Sequence, residues 1–438
     1  MSEQLYCGAS RKCITPPAHL MPDLYGLRRQ SFGGVLDDIF LRVLALKSRE
    51  KTFLFVVYDL DKAPYPRKWI DALMQRFDIP EEQIIYCAIH THCAPITDMR
   101  PYEAPNRRWL KTHQQQAATS EYEDFLLNTL IEAVQEAICS MRPAKFGYSC
   151  GKSYVNVNRN VDYVSKQGKV CAIGNNFDAD ADHDLFIGRL ETEEGTPIAF
   201  LVNYAVHNCI MHQNTMCDGK LAITSDLGGN ISQRLEQDYP GVVALWTSGA
   251  AGDVNPILMN EVCHPDIEGN GPTSEMLSGD QTLFLRTMVT RHYADVQTVL
   301  KEIQCKHSVM ELDAQIKWIS TPGRRFPEED QLPEQMRSGD EKPQYCVRLQ
   351  GVRLGEVMIC GVSGELYTSF ARQIQTQSPF AKTLVINHNA CQMANSQYIL
   401  DDDGIARNAL GYNHSFIRPG YVGAALKEAV GELFEELK

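Results

Sequence analysis

A strand–helix–strand pattern between residues 52 and 90 restricts the fold more than any other feature. Thr52–Leu60 (TFLFVVYDL) is a β-branched and aromatic run that reads as a buried strand. Pro66–Phe77 (PRKWIDALMQRF) is an amphipathic helix, and Gln83–His90 is the next strand. This order predicts parallel pairing through a right-handed crossover. The expected fold class is therefore α/β, with a mixed, mainly parallel central sheet flanked by helices. Ligands of such sheets collect beyond the carboxyl ends of strands. The second strand runs into IHTHCAP. Residues two apart on a strand share a face, so His90 and His92 present two imidazoles side by side. They are either a ligand pair or two satisfied structural histidines, and the spacing leaves both readings open.

Further strand ends repeat the theme. Asp184–Leu190 and Pro197–Val206 read as a hairpin turning at Glu193–Thr196, and the second strand ends in His207. Gly241–Trp246 runs into the glycine-rich Ser248–Asp253. Gln344–Leu349 and Val352–Val362 are strands, and a Ser363–Gly364 turn starts a helix at Glu365. Elsewhere, a polar loop covers Thr97–Thr119. Ser120 and Glu123 form a capping box for a helix with a core face of Leu127, Leu130, Ile131, Val134, Ile138 and Met141. A helix spans Leu283–Ile303, and Pro322–Pro343 is an exposed loop. No repeat or linker divides the chain, so one domain over residues 1–438 is expected.

Composition sets limits on partners. Apolar content of 44% and charged content of 22% describe an ordinary soluble protein. No apolar run is long enough to span a bilayer, and the N-terminus has no secretory pattern, so a cytoplasmic location without stable membrane association is expected. The 14 cysteines are then reduced. Cys87, Cys139, Cys171 and Cys360 read as small core residues. A net charge of −13 argues against nucleic acid. The basic spots at Arg28–Arg29 and Arg107–Arg108 are solvated loops or a local site for an anionic group.

Catalytic zinc takes histidine nitrogens and a carboxylate and keeps one position open. His90, His207 and Glu365, from three strand ends, fit that chemistry, although a chain with 12 histidines places some at strand ends by chance. Competing motifs fail. Gly147–Ser153 is one residue short of a phosphate loop, and Asp178–Asp182 lacks the glycine and glutamate of a calcium loop. There is no G-x-S-x-G elbow and no H-E-x-x-H helix. Cys93 points away from His92, and His212 reads as a surface residue or a neighbour of the site.

Seven segments in order resemble the neutral/alkaline non-lysosomal ceramidase family: CGASRKCITPP, IHTHCAP, VNVNRN, NYAVHNCIM, SDLGGNIS, SGAAGDVNP and SGELYTSFARQI. The resemblance covers nearly the whole chain and implies that family's catalytic domain. It implies one zinc ion per chain, held by His90, His207, Glu365 and Tyr398. It also implies that His92, Arg159 and Tyr412 serve the reacting carbonyl. Asp253 and Asn255 would line the substrate pocket, with Arg107 in the polar loop after His92. Asp59 and Asp226 would orient the ligands, or else be a strand-end aspartate and a helix cap.

The departures shape the functional expectation. Asn255 stands where the family has a serine proposed as nucleophile, and an amide cannot take that role. The chain ends near the end of the catalytic domain, so the family's C-terminal immunoglobulin-like domain is expected to be absent. The loop after His92 is polar and basic rather than apolar. The resulting expectation is a zinc-dependent hydrolase that cleaves an amide (N-acyl) bond of a small, soluble, polar substrate through zinc-activated water. The alternatives are action on an ester or other bond, or a non-catalytic ligand-binding relative.

Overall fold

The structure, a computed structural model, describes residues 4–27, 30–97, 113–166, 168–265, 272–277, 279–323, 344–391, 398–407, 409 and 417–438. The central sheet has eight strands in the order Val243–Ser248, Pro197–Tyr204, Asp184–Thr192, Arg142–Lys152, Tyr6–Cys13, Phe40–Ser48, Lys51–Tyr58 and Ile84–Ala88. The five inner pairings are antiparallel, and only the outermost pair at each end is parallel. The expected mainly parallel sheet is thus corrected to a mixed, mostly antiparallel one. The strand–helix–strand unit itself is real: Lys51–Tyr58 and Ile84–Ala88 are parallel and joined through the helix Pro66–Phe77. It recurs between Pro197–Tyr204 and Val243–Ser248, through the helix Asp226–Asp238, but several antiparallel neighbours are linked by short turns. One of these is the two-residue connection between Ser48 and Lys51, where Arg49 takes φ +55° without any glycine or asparagine to announce it.

A second sheet holds Leu312–Pro322, Gln344–Leu354, Val357–Val362 and Lys382–Ile386, with two antiparallel pairings and a final parallel one. Its turn falls at Gly355 (φ +60°) rather than near residue 350. The strand Val243–Ser248 lies against Lys51–Tyr58, Ile84–Ala88 and Lys382–Ile386. The two ends of the large sheet and the edge of the small one therefore meet in one region. The strands that run into this region, Ile84–Ala88, Pro197–Tyr204, Val357–Val362 and Lys382–Ile386, each have a parallel neighbour, as do Lys51–Tyr58 and Val243–Ser248. Parallel pairing aligns carboxyl ends, and the site forms there.

Other expectations need adjustment. The long helix is described from His113 to Cys139, so Ser120 and Glu123 lie inside it and cap nothing. Its buried face is Tyr122, Leu126, Leu130, Ala133, Val134 and Ala137. Glu365 is not helical: Glu365–Leu366 is a short strand, and the helix begins at Thr368. Cys87, Cys171 and Cys360 are buried, but Cys139 is exposed at a helix end, where the apolar stripe has already turned away. Gly147–Ser153 lies mostly within the strand Arg142–Lys152, which removes any phosphate loop. Among the described residues, no helix is long and apolar enough to cross a membrane.

Candidate metal centre

The candidate residues sit a few residues beyond strand ends or in short strands of their own. His90 lies two residues after Ala88 with φ +67°, a left-handed conformation that costs a non-glycine residue about 1–2 kcal/mol. Strain of this kind concentrates at functional sites and persists where surrounding contacts enforce it. Here the backbone N–H of His90 donates to Leu60 O at 2.9 Å and that of His92 to Asn208 O at 3.1 Å. His207 follows Tyr204, and its own N–H donates to Val254 O at 3.2 Å. Glu365 pairs in parallel register with Tyr398, which puts both side chains on one face.

The imidazole tautomers follow from their partners. His90 Nδ1 lies 3.0 Å from both the carbonyl oxygen and a carboxylate oxygen of Asp61. A carbonyl only accepts, so this nitrogen carries the proton and Nε2 keeps a bare lone pair. His207 Nδ1 donates to Val254 O at 3.1 Å, which leaves its Nε2 bare as well. Yet His207 Nε2 lies 3.1 Å from Glu365 Oε2, and His90 Nε2 lies 3.7 Å from the same oxygen. Two lone pairs and a carboxylate thus face one another in a buried space, where all three side chains are at most 7% exposed. Such a contact is repulsive unless a proton or a cation sits between.

The electrostatics agree. Burial, opposed by Asp61 and Glu365, leaves the His90 pKa raised, so without a cation the site draws in a proton. Burial and the Arg159 guanidinium push His207 down to about 4, which keeps it neutral. Glu365 is held well below 4.5; burial alone would raise it, but His90 and its neighbours win. Neutral imidazoles and an ionised carboxylate are the forms that bind metal. The donor spacing fits too: donors 2.0–2.1 Å from a tetrahedral zinc lie about 3.3 Å from one another. His90, His92 and His207 form one group of potential ligands, and His90, Glu365 and His388 a second.

Other expected residues find places around this centre. The Tyr398 hydroxyl donates to Glu365 and accepts from Arg159, whose guanidinium carbon lies 5.3 Å from the tyrosine ring centre. Arg159 also donates to Gly252 O at 2.5 Å and to Asn255 Oδ1 at 3.4 Å. Asn255 is therefore buried behind Arg159. Asp253 turns its carboxylate to Thr368 N and Oγ1 (2.9 Å each) and to Asn158 (2.9 Å), so it ties the glycine-rich turn to the start of the next helix. Glycine is required in that turn: a Cβ on Gly252 would lie 2.4 Å from Glu365 O. Tyr412 and Arg107, with the rest of the polar loop from 98 to 112, lie outside the described residues.

Asp59 and Asp226, expected to orient ligands, do other work. Asp59 pairs with buried Arg42, and Asp226 accepts from the N–H groups of Ile210, Met211 and Leu227, holding the loop after His207. The residue that orients His90 is Asp61, which nothing local in the sequence marked. Asp61→Asn is expected to weaken metal binding about tenfold, as losses of such partners do; chelator competition measures it. An unchanged affinity would show that the Asp61 carbonyl suffices. His388 was also missed, although it follows the apolar KTLVI run just as His90 and His207 follow theirs. Its ring stacks on His90 at 3.9 Å, and its Nε2 has no hydrogen-bond partner among the described residues.

The structure resembles the crystal structure of neutral ceramidase from Pseudomonas aeruginosa with a TM-score of 0.71 at 13% identity, covering 99% of this chain and 74% of that one. A ceramidase complexed with C2 gives a TM-score of 0.70 at 14% identity, covering 99% and 75%. No protein-family model matches the chain. No curated protein matches it in sequence. The chain therefore has the fold of neutral ceramidase, with a buried His/Glu cluster that could bind a metal ion where its parallel strands end.

Proposed function

We propose that this chain is a zinc-dependent hydrolase, with one ion per chain held by His90, His207 and Glu365, that cleaves an amide (N-acyl) bond of a small, soluble, polar substrate. The observation that carries the metal reading is the pair of bare Nε2 lone pairs turned onto one carboxylate oxygen. The hydrolase reading is supported by the likeness in fold and by the position of Arg159 beside that centre. When bound, zinc supplies Lewis acidity toward a carbonyl and toward water. Arg159 offsets the charge of Glu365 and is placed to orient an acceptor on the substrate. Tyr398 holds Glu365 in the orientation the ion needs. Tyr412 and Arg107 enter this reading on the strength of sequence alone.

The test is the metal content of untagged protein purified without chelator, for wild type and His90→Ala in parallel, followed by a panel of N-acyl amides, esters and long-chain ceramide. About one zinc per chain, lost in the variant, with turnover of short polar amides, is the expected result. Absence of zinc after reconstitution would sink the metal reading. Efficient turnover of ceramide would sink the substrate reading. Asn255 favours one rival: a relative that binds its ligand without cleaving it. Zinc without turnover of any panel member would select that reading.

A further inference from the structure

We propose that Lys62 is a specificity-determining residue of this centre and recognises a carboxylate on the substrate, close to the bond that is cleaved. This rests on the hydrolase reading above and narrows its substrate class to N-acyl amides that carry a carboxylate, such as N-acyl amino acids. Lys62 sits on the turn that follows the strand Lys51–Tyr58. The backbone of that turn is fastened to the centre: Leu60 O accepts the N–H groups of His90 and Thr91 at 2.9 and 3.2 Å. The adjacent Asp61 turns its carboxylate onto His90 Nδ1 at 3.0 Å. One short turn thus orients a histidine of the centre and delivers a lysine beside it.

The charge of Lys62 lies within the site rather than on the open surface. The side chain is partly buried. Its ammonium acts on Cys391, Glu365 and Tyr398, and on His388, whose ring covers one face of His90. Burial alone would lower its pKa, but Asp61 and these neighbours outweigh that effect, and the ammonium stays charged.

Among the described residues, no hydrogen bond or ion pair engages that ammonium, since Asp61 is turned onto His90. Other enclosed cations are committed. Arg42 forks between Asp59 and Glu236, and Arg348 donates to Glu81 and Gln350. Arg159, across the centre, donates to Gly252 O, Asn255 and Tyr398. Withdrawing a charge from water is costly unless a partner replaces the water, so an enclosed and uncommitted ammonium points to an anion that arrives with the substrate. A single ammonium matches the single charge of a carboxylate, whereas a phosphate dianion is commonly held by several donors. An N-acyl amino acid carries its carboxylate beside the amide. Lys62 can therefore hold that carboxylate while the amide faces His90, His207 and Glu365.

The experiment compares wild type, Lys62→Met and Lys62→Arg, each checked for zinc content and for folding by circular dichroism. One readout is kcat and KM for short N-acetyl amino acids against N-acetyl alkylamines of equal length. The other is calorimetric binding of N-acetylglycine to the metal-free proteins. Wild type is expected to favour the carboxylate-bearing amides by about tenfold to a hundredfold, the range of a hydrogen bond to a charged group. Lys62→Met should cut that preference at least about tenfold, mainly through KM, and weaken N-acetylglycine binding alike, with Lys62→Arg restoring part of both. If wild type shows no preference, or Lys62→Met leaves preference and binding as they were, the proposal is overturned and the hydrolase reading stands. If zinc-loaded wild type cleaves no amide, yet metal-free wild type binds N-acetylglycine and Lys62→Met does not, the hydrolase reading falls and the carboxylate site stands. If wild type neither cleaves nor binds these compounds, both fall. Should Lys62→Met not fold, Lys62→Gln takes its place with the same expected losses.

Discussion

His207→Ala protein is expected to fold, to retain almost no metal, and to lose hydrolytic activity by at least about a thousandfold. Removal of one oxyanion donor from an active site already costs about 10²–10³ in rate, and loss of the ion itself removes more. The effect should be large because His207 has no substitute. Its side chain is fully buried, and its Nδ1 is anchored on Val254 O, a carbonyl that also accepts the residue's own backbone N–H. Its Nε2 is the nitrogen nearest to Glu365. The truncation leaves a hole beside the buried Glu365 carboxylate, with His90 Nε2, 3.7 Å away, still facing it. Metal analysis, far-ultraviolet circular dichroism and the substrate panel check this together. A folded variant with a full complement of zinc would show that the ion is held elsewhere.

The second large effect concerns the frame rather than the centre. Arg42→Met is expected to destabilise the protein by about 3–5 kcal/mol, the usual cost of breaking a buried ion pair from one side. Arg42 is 1% exposed on the strand Phe40–Ser48. Its guanidinium forks between Asp59, at 2.8 and 3.0 Å, and Glu236, at 2.8 and 3.2 Å. Glu236 keeps Arg11 at 2.6 Å after the substitution, but among the described residues Asp59 keeps only the Phe40 N–H at 2.9 Å. Asp59 begins the turn that carries Asp61 to His90, so metal affinity should weaken as well. Urea unfolding of metal-free wild type and variant measures the first effect, and chelator competition the second. A loss below about 1 kcal/mol would mean that water reaches Asp59 and replaces the arginine.

The direction of the sheets was not legible from one crossover unit. Pairing direction depends on which strands meet, and that is settled by long-range packing and by short turns such as Arg49–Glu50 that carry no composition signal. The Glu365 reading shows the same limit. A glutamate after a turn looks like a helix start, but pairing with Tyr398, more than thirty residues away, makes it a strand.

The strand-end histidines were legible because the signal is local: an apolar run buries the backbone, and the first polar residue after it emerges at the carboxyl end. His90, His92, His207 and, on the same rule, His388 are all marked this way in the amino-acid order. What the sequence could not carry is the distances between them. The convergence of two lone pairs on Glu365 and the Asp61 contact that orients His90 join segments up to hundreds of residues apart. Hydrogen-bond geometry and donor spacing vary over tenths of an ångström, whereas residue order records only type and proximity along the chain. The sequence thus determined which side chains stand at the strand ends. The tertiary structure, by bringing those ends together, decided which of them share a centre.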